Sequence, residues 1–491
     1  MTIHLSACNL ESLKGKATVP GYRRDQLSAG IVHIGCGNFH RAHQAVYLHE
    51  LFNTGEGHDW ALVGAGVREA DEHMRQKLLA QDLYTTVVEQ EVGKSAAHIT
   101  GAMIDFVKPG DNAALIARMS ERDIRIVSLT ITEGGYFINS ATGMFDPEHP
   151  DIMHDTANPD TPKTVFGLLL AALRRRRDTG LAPFTIMSCD NIPHNGAVTK
   201  YAVAGLAATQ DDGLADWIIN EVAFPNGMVD RITPATTDRE RQLLKDQFGI
   251  EDNWPVFCED FKQWVLEDNF INGRPALEKV GVQFVPDVSP FELMKIRILN
   301  GGHAIIAYPS ALMDVHFVHE GMEHPLVKAF LDKVEKDEII PTVPPVPDTN
   351  LDDYYKLIVR RFSNPKIGDT ISRLCLDGSN RQPKFIVPPV IDRLKAGQPV
   401  DGLALESALW CRYCFGTTDS GKVIPPNDPN WDRLQATAKL AKARPNAWLE
   451  MADIYGDVAK SPVFRESFAK ALNALWKDGT AATLSAYIAG K

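Results

Sequence analysis

An α/β chain in two parts, a parallel-sheet domain followed by a mostly α-helical domain, is the fold class the sequence predicts. Three observations predict it. Short apolar runs rich in β-branched residues, Ile31 to Ile34, Ala61 to Gly64, Ile124 to Thr130 and Pro183 to Ser188, alternate with helical stretches, as in a sheet covered on both faces. Beyond about Pro286 the strands give way to long amphipathic helices. A length of 491 residues also exceeds one ordinary core, at roughly 100 to 200 residues per domain. The expected division is residues 1–286 and 287–491.

The first strand, Ile31 to Ile34, runs into Gly35-Cys36-Gly37-Asn38-Phe39-His40-Arg41-Ala42-His43. Strand, Gly-x-Gly turn and helix start together form the opening of a Rossmann-type phosphate loop. Gly35 and Gly37 let the backbone approach a pyrophosphate, which meets the positive end of the helix begun by Asn38, Phe39 and Arg41. The third glycine of the fingerprint is absent and His40 stands in its place, so a plain strand-to-helix turn remains a second reading. The next strand leads to Arg68-Glu69-Ala70-Asp71. A carboxylate there accepts from the ribose hydroxyls of NAD and repels the 2′-phosphate of NADP. Asp71 is the first choice, Glu69 the rival, and nearby Arg68 keeps NADP open. Thr132-Glu133-Gly134-Gly135-Tyr136 follows a further strand, at the carboxyl edge where such ligands bind, which makes Glu133 a cofactor candidate. It also reads as a glycine turn that only redirects the chain.

Further along, Val165 to Leu173 ends in Arg174-Arg175-Arg176-Arg177, cations that suit the C-terminal end of a helix. The segment Phe291 to His303 carries Glu292, Lys295, Asn300 and His303 among Met294, Ile296, Ile298 and Leu299. On a regular helix of about 100° per residue, Glu292, Lys295 and His303 share a sector roughly 80° wide and Asn300 is turned further round. Apolar surroundings disfavour an ammonium ion and turn the amine into a usable general base; the alternative is a lysine that snorkels to water. Prolines 341, 344, 345 and 347 mark an extended connector. Cys411 and Cys414 read as small buried thiols on a helix. Ser461-Pro462 opens a last amphipathic helix, with Phe464, Phe468, Leu472 and Leu475 on one face and Gly479 at its end.

The net charge of −12, from 51 basic and 63 acidic residues, disfavours nucleic acid and anionic membranes as partners. No apolar run approaches the ~20 residues of a membrane span, and Met1 to Lys16 lacks a secretory h-region. Seven scattered cysteines fit reduced thiols. A cytoplasmic location is expected.

A nicotinamide cofactor in the first domain gives the proton-moving helix a partner, with the active site expected in the cleft between the domains. No zinc ligand set is evident. The Tyr-x-x-x-Lys of short-chain dehydrogenases occurs only as Tyr487 with Lys491, at the end of the chain, so Lys295 is the available base. At these residues the chain resembles the polyol-specific long-chain dehydrogenase/reductase family. The likeness covers Gly35 to His43, Ser128 to Tyr136, Met187 to Gly196, Phe224 to Pro234, Gln263 to Asp268, Met294 to His303, Arg361 to Asn364 and Asp377 to Ser379.

The resemblance implies metal-independent oxidation of a polyol secondary alcohol to a ketose with NAD, D-mannitol to D-fructose foremost. It implies Lys295 as base, Asn191 and Asn300 as oxyanion donors, His303 as substrate holder and Glu292 as a proton path to water. Asp230 and Arg373 are implied as polyol contacts. Arg381 stands where mannitol enzymes of the family can carry lysine, and a guanidinium is a planar fork rather than a point charge. That keeps D-arabinitol, D-sorbitol and hexuronates open, the last because Arg373 and Arg381 could clamp a carboxylate. A monomer or weak homo-oligomer is expected. From another class, a non-catalytic NAD sensor would carry the same phosphate loop.

Overall fold

β-branched alternation builds the central sheet. In the computed structural model, which describes residues 2–139 and 143–490, the strands are β1 (Ala29–Ile34), β2 (Ala61–Ala65), β3 (Met103–Phe106), β4 (Ile126–Leu129) and β5 (Thr185–Ser188). Their order is β3-β2-β1-β4-β5, parallel throughout. Val32 and Ile34 of β1 join one buried cluster with Phe166, Leu169 and Leu206, while Ile31 joins a second with Leu48, Phe52 and Trp264. The sheet is therefore covered on both faces, and its strands read as continuous apolar runs for that reason. The reversal of strand order between β1 and β4 is the switch point at which such sheets bind nucleotides.

The same unit, Met1–Ser289, carries smaller sheets that the sequence pattern does not announce. One joins Val256–Glu259 to Thr85–Glu91 and Lys94–Thr100. Another sets Gly227–Asp230 antiparallel to Gln263–Glu267, with Asp230 opposite Gln263. The arginine run falls in the last turn of the helix Val165–Asp178. Arg176 turns inward there, donating to the carbonyls of Met119, Glu121, Ile124 and Ala182.

The second unit, Pro290–Lys491, is helical. Ser461 caps the helix Pro462–Asp478 by accepting from Phe464 N–H, and Phe464, Phe468, Leu472 and Leu475 are all buried. Cys411 and Cys414 lie buried in the helix Asp401–Cys414. Tyr487 donates to Glu338, and its sequence partner Lys491 lies outside the described residues. Among the described residues no helix is long and apolar enough to cross a membrane, and no group of three or more His, Cys, Asp and Glu side chains is placed to hold a metal ion.

Candidate active site

The phosphate loop leaves β1 at Gly35, whose φ of +101° belongs to glycine. A Cβ there would sit 2.1 Å from the Thr130 carbonyl oxygen. At Gly37 the corresponding space is open, so the loop has the tight turn and the free approach that a pyrophosphate needs. His40 fills the place of the third glycine by stacking on His33, ring centroids 3.4 Å apart. His33 is fixed in turn by Ser128 and Thr130 at 2.8 and 2.9 Å. Burial drives both imidazoles down, His33 to about 3, so the pair is a neutral spacer between helix and strand.

Two loop side chains, Arg41 and Asn38, are engaged by protein partners, which points to a bracing part for both in the loop. Arg41 is fully buried, donating to the Trp254 carbonyl at 2.6 Å and to Asn38 Oδ1 at 2.8 Å. Asn38 Nδ2 donates to the Pro234 carbonyl and to Thr236 Oγ1. Together they brace the loop from beneath, while Phe39 stacks on His43. Asp71 begins the helix Asp71–Leu79 and accepts from the Arg68 backbone N–H and guanidinium, each at 3.1 Å. Its carboxylate thus closes the turn after β2, and Glu69 is exposed beside it.

Past β4, Thr132 adopts φ 63° and ψ 164°, a region reserved almost entirely for glycine and costing about 1–3 kcal/mol. It presents Glu133, exposed, at the start of the turn Glu133–Tyr136. Asn191 is exposed just beyond β5. Asp230 is 6% exposed, close enough to His43 and Tyr47 to act on both electrostatically.

In the helical unit the segment singled out from sequence is one helix with an irregular centre. Ser289–Met294 is α, Lys295–Asn300 is π, and Gly301–Leu312 returns to α. A π turn bonds residue i to i+5 and absorbs one extra residue. Everything downstream rotates back by about 100° relative to the regular helix. That brings Asn300 over Lys295, between it and Glu292, and leaves His303 just beyond, so all four share the sector from which a plain helix excludes Asn300. Lys295 and Glu292 are 6% and 7% exposed.

His303 stacks on Phe362 with centroids 4.3 Å apart. Burial, followed by the guanidiniums of Arg373, Arg361 and Arg381 and opposed by Asp369, holds its imidazole at about 3. The imidazole is therefore neutral, and its buried Nε2 has no hydrogen-bond partner among the described residues. Arg373 is gripped at both ends of its fork by Asp369, Nε at 2.5 Å from Oδ1, and Arg381 donates to the Leu374 carbonyl at 2.9 Å. Behind the π turn, a Cβ on Gly302 would meet Glu335 Oε1 at 3.1 Å and Phe362 at 3.4 Å. Glu335 is fully buried, neither carboxyl oxygen has a partner among the described residues, and desolvation raises its pKa well above the carboxylate range.

A cavity of about 560 Å³ lies at the opposite, amino-terminal edge of the sheet, lined by Ser28, Asp59, Arg122, Arg125 and Arg176 among others. Its Arg125 and Arg176 are tied to Asp59 and to backbone carbonyls, and none of the candidate residues borders it.

Switch-point sheet, glycine loop and a lysine buried in a π turn of a helical second unit define a class, the two-domain nucleotide-dependent dehydrogenases. Family models make this specific: one described as the mannitol dehydrogenase Rossmann domain matches residues 29–279, and one described as the mannitol dehydrogenase C-terminal domain matches residues 287–476. The chain belongs to the mannitol dehydrogenase family. A mannitol 2-dehydrogenase of Cereibacter sphaeroides is 61% identical over 473 residues, covering 96% of this chain and 99% of its own. The solved ternary complex of Pseudomonas fluorescens mannitol 2-dehydrogenase with NAD and D-mannitol is 43% identical, with a TM-score of 0.88 and 100% of both chains covered. A D-sorbitol dehydrogenase, solved in substrate-free form, is 35% identical with a TM-score of 0.91, covering 98% of this chain and 100% of its own.

Proposed function

We propose that the protein is a cytoplasmic NAD-dependent polyol dehydrogenase that interconverts D-mannitol and D-fructose without a metal, as a monomer or weak homo-oligomer. The observation that carries the reading is the buried π turn at Lys295–Asn300, whose geometry supports a common face for Lys295, Asn300, Glu292 and His303. Backbone similarity does not separate the polyols, since the mannitol and sorbitol enzymes match with TM-scores of 0.88 and 0.91. Sequence favours mannitol: 61% identity to a mannitol enzyme against 35% to the sorbitol enzyme.

Gly35, Gly37, Phe39 and the helix start at Asn38 would hold the dinucleotide phosphates, with Asn38 and Arg41 bracing the loop. Asp71 or Glu69 would accept from the ribose hydroxyls, and Glu133 would face the nicotinamide end. Bound NAD supplies the acceptor for the hydride that leaves the carbinol carbon. Lys295, as free amine, takes the hydroxyl proton, so a carbonyl forms with no charge left on oxygen. Asn191 and Asn300 donate to that oxygen while negative charge builds on it, a role preorganised amides fill without reorganising. Glu292, three residues before Lys295 on the same helix, returns the proton to water. Asp230 and the neutral His303 accept from the remaining hydroxyls, and Arg373 and Arg381 donate to them.

The test is NAD and NADP reduction at 340 nm across D-mannitol, D-sorbitol, D-arabinitol and sugar acids, with and without EDTA. Mannitol with NAD should give the highest kcat/KM, unaffected by chelator. No turnover with any polyol would leave the sensor reading standing.

A further inference from the structure

One carboxylate ties the loop after β4 to the loop after β5. Asp190 is 8% exposed. Its Oδ1 accepts from Thr132 N–H at 2.8 Å, and its Oδ2 accepts from Ile131 N–H at 2.9 Å and from the Tyr136 hydroxyl at 2.7 Å. Behind it a ring closes. The Asp190 N–H donates to Ser188 Oγ at 3.3 Å, and the Ser188 and Tyr136 hydroxyls meet at 2.6 Å. The Asp190 carbonyl accepts from Asn195 Nδ2 at 3.1 Å, and Asn195 Oδ1 accepts from Gly227 N–H at 2.9 Å.

Desolvation raises the pKa of this acid above its usual value, with the Glu133 carboxylate adding to the rise, against the lowering effect of those hydrogen bonds. A buried acid is an expensive way to close a turn. What it holds explains its presence. The residue it grips, Thr132, is β-branched yet sits at φ 63°, and two of the three bonds fix the peptide groups on either side of Ile131, the second of them the one that enters Thr132. Thr132 immediately precedes Glu133, and Asp190 immediately precedes Asn191. Two side chains assigned to cofactor and substrate oxygen hang on the same clamp.

We propose that Asp190 is a positioning residue for hydride transfer, its carboxylate locking the Ile131-to-Tyr136 turn to the end of β5 and so fixing Glu133 and Asn191 in register. The inference rests on the dehydrogenase reading above. It assigns Asp190 no contact with substrate; it acts through its two neighbours.

Asp190→Asn keeps the size of the side chain but leaves one accepting oxygen and points an amide N–H₂ at a backbone N–H. With kcat expressed per NADH-binding site, so that misfolded protein is not counted, turnover should fall about a hundredfold, as expected for a misplacement near 1 Å. The NADH dissociation constant, read by fluorescence titration, should rise severalfold. The primary deuterium isotope effect on kcat, with substrate labelled at the carbinol carbon, should increase because hydride transfer becomes slower. Tyr136→Phe removes one of the three bonds and should move all three readouts in the same direction by less. A folded Asp190→Asn with wild-type turnover, isotope effect and NADH affinity overturns the proposal. If that variant does not fold, wild-type values in Tyr136→Phe overturn it. Should the wild type oxidise no polyol, the functional reading fails by itself, and the NADH dissociation constants of the two variants still decide whether the clamp acts on the loop.

Discussion

The turn after β4 and the π turn at Lys295–Asn300 both abandon regular geometry, and they are held by opposite means. The first is held by hydrogen bonds converging on Asp190. The second is held by packing, with Met294, Ile298 and Leu299 buried around it and Gly301 and Gly302 admitting Ile339 and Glu335 to close range behind. A hydrogen-bonded turn fails at the loss of single atoms, because each buried donor left unpaired costs about 1–3 kcal/mol. A packed turn yields by degrees, because neighbours shift to share a strain.

The largest effect tests whether the packed turn is scaffold or chemistry. Lys295→Ala should lower kcat by about 10²–10⁴-fold, the usual worth of a general base, while NADH binding by fluorescence titration stays near wild type. Near-normal turnover would remove Lys295 from the mechanism. Next comes Gly302→Ala, which presses a methyl against Glu335 and Phe362. A graded loss of about 1–3 kcal/mol in stability is expected, measured by denaturant unfolding, with turnover reduced in step. An all-or-none loss of activity at unchanged stability would mean the π turn does not share strain as packed segments do.

A smaller test concerns Glu406, fully buried, with Gln382 donating to it and its pKa raised to about 8 by desolvation. The folded protein keeps this proton to higher pH than the unfolded chain does. Stability on its account is therefore full below the ordinary carboxylate range and is lost as pH rises toward 8. Glu406→Gln should flatten that slope between pH 5 and 8 in urea titrations. An unchanged slope would show that Glu406 ionises normally. Least of all, Arg381→Lys should alter the ratio of mannitol to sorbitol kcat/KM by a fewfold, since charge is kept and only the fork is lost. No change in that ratio would free Arg381 from a part in specificity.

Much of this was legible in the sequence, for reasons visible in individual residues. The strands were readable because β1 buries Ile31 on one face and Val32 with Ile34 on the other. Ser461 and Gly479 bounded their helix by caps that act within a single turn. The candidate residues Lys295, Asn300, His303 and Glu292 could be named, but not their common face. Nearly every side of residues 290–312 is apolar, so the periodicity carries no phase, and no residue type marks a π turn. The inward direction of Arg41 was equally hidden, because its partner Trp254 arrives 213 positions later. Asp190 is silent in the sequence for the same reason: its partners lie some fifty residues earlier, and only the glycine-like conformation of Thr132, invisible in sequence, signals that something must hold it.

The π turn has a consequence for comparing this chain with more distant proteins. It is one surplus residue absorbed inside a helix, with no loop to betray it. Against a relative whose equivalent helix is regular, the correct correspondence requires a one-residue gap inside the helix, between Lys295 and Asn300. A gapless alignment would match either Lys295 or Asn300 with its true counterpart, never both.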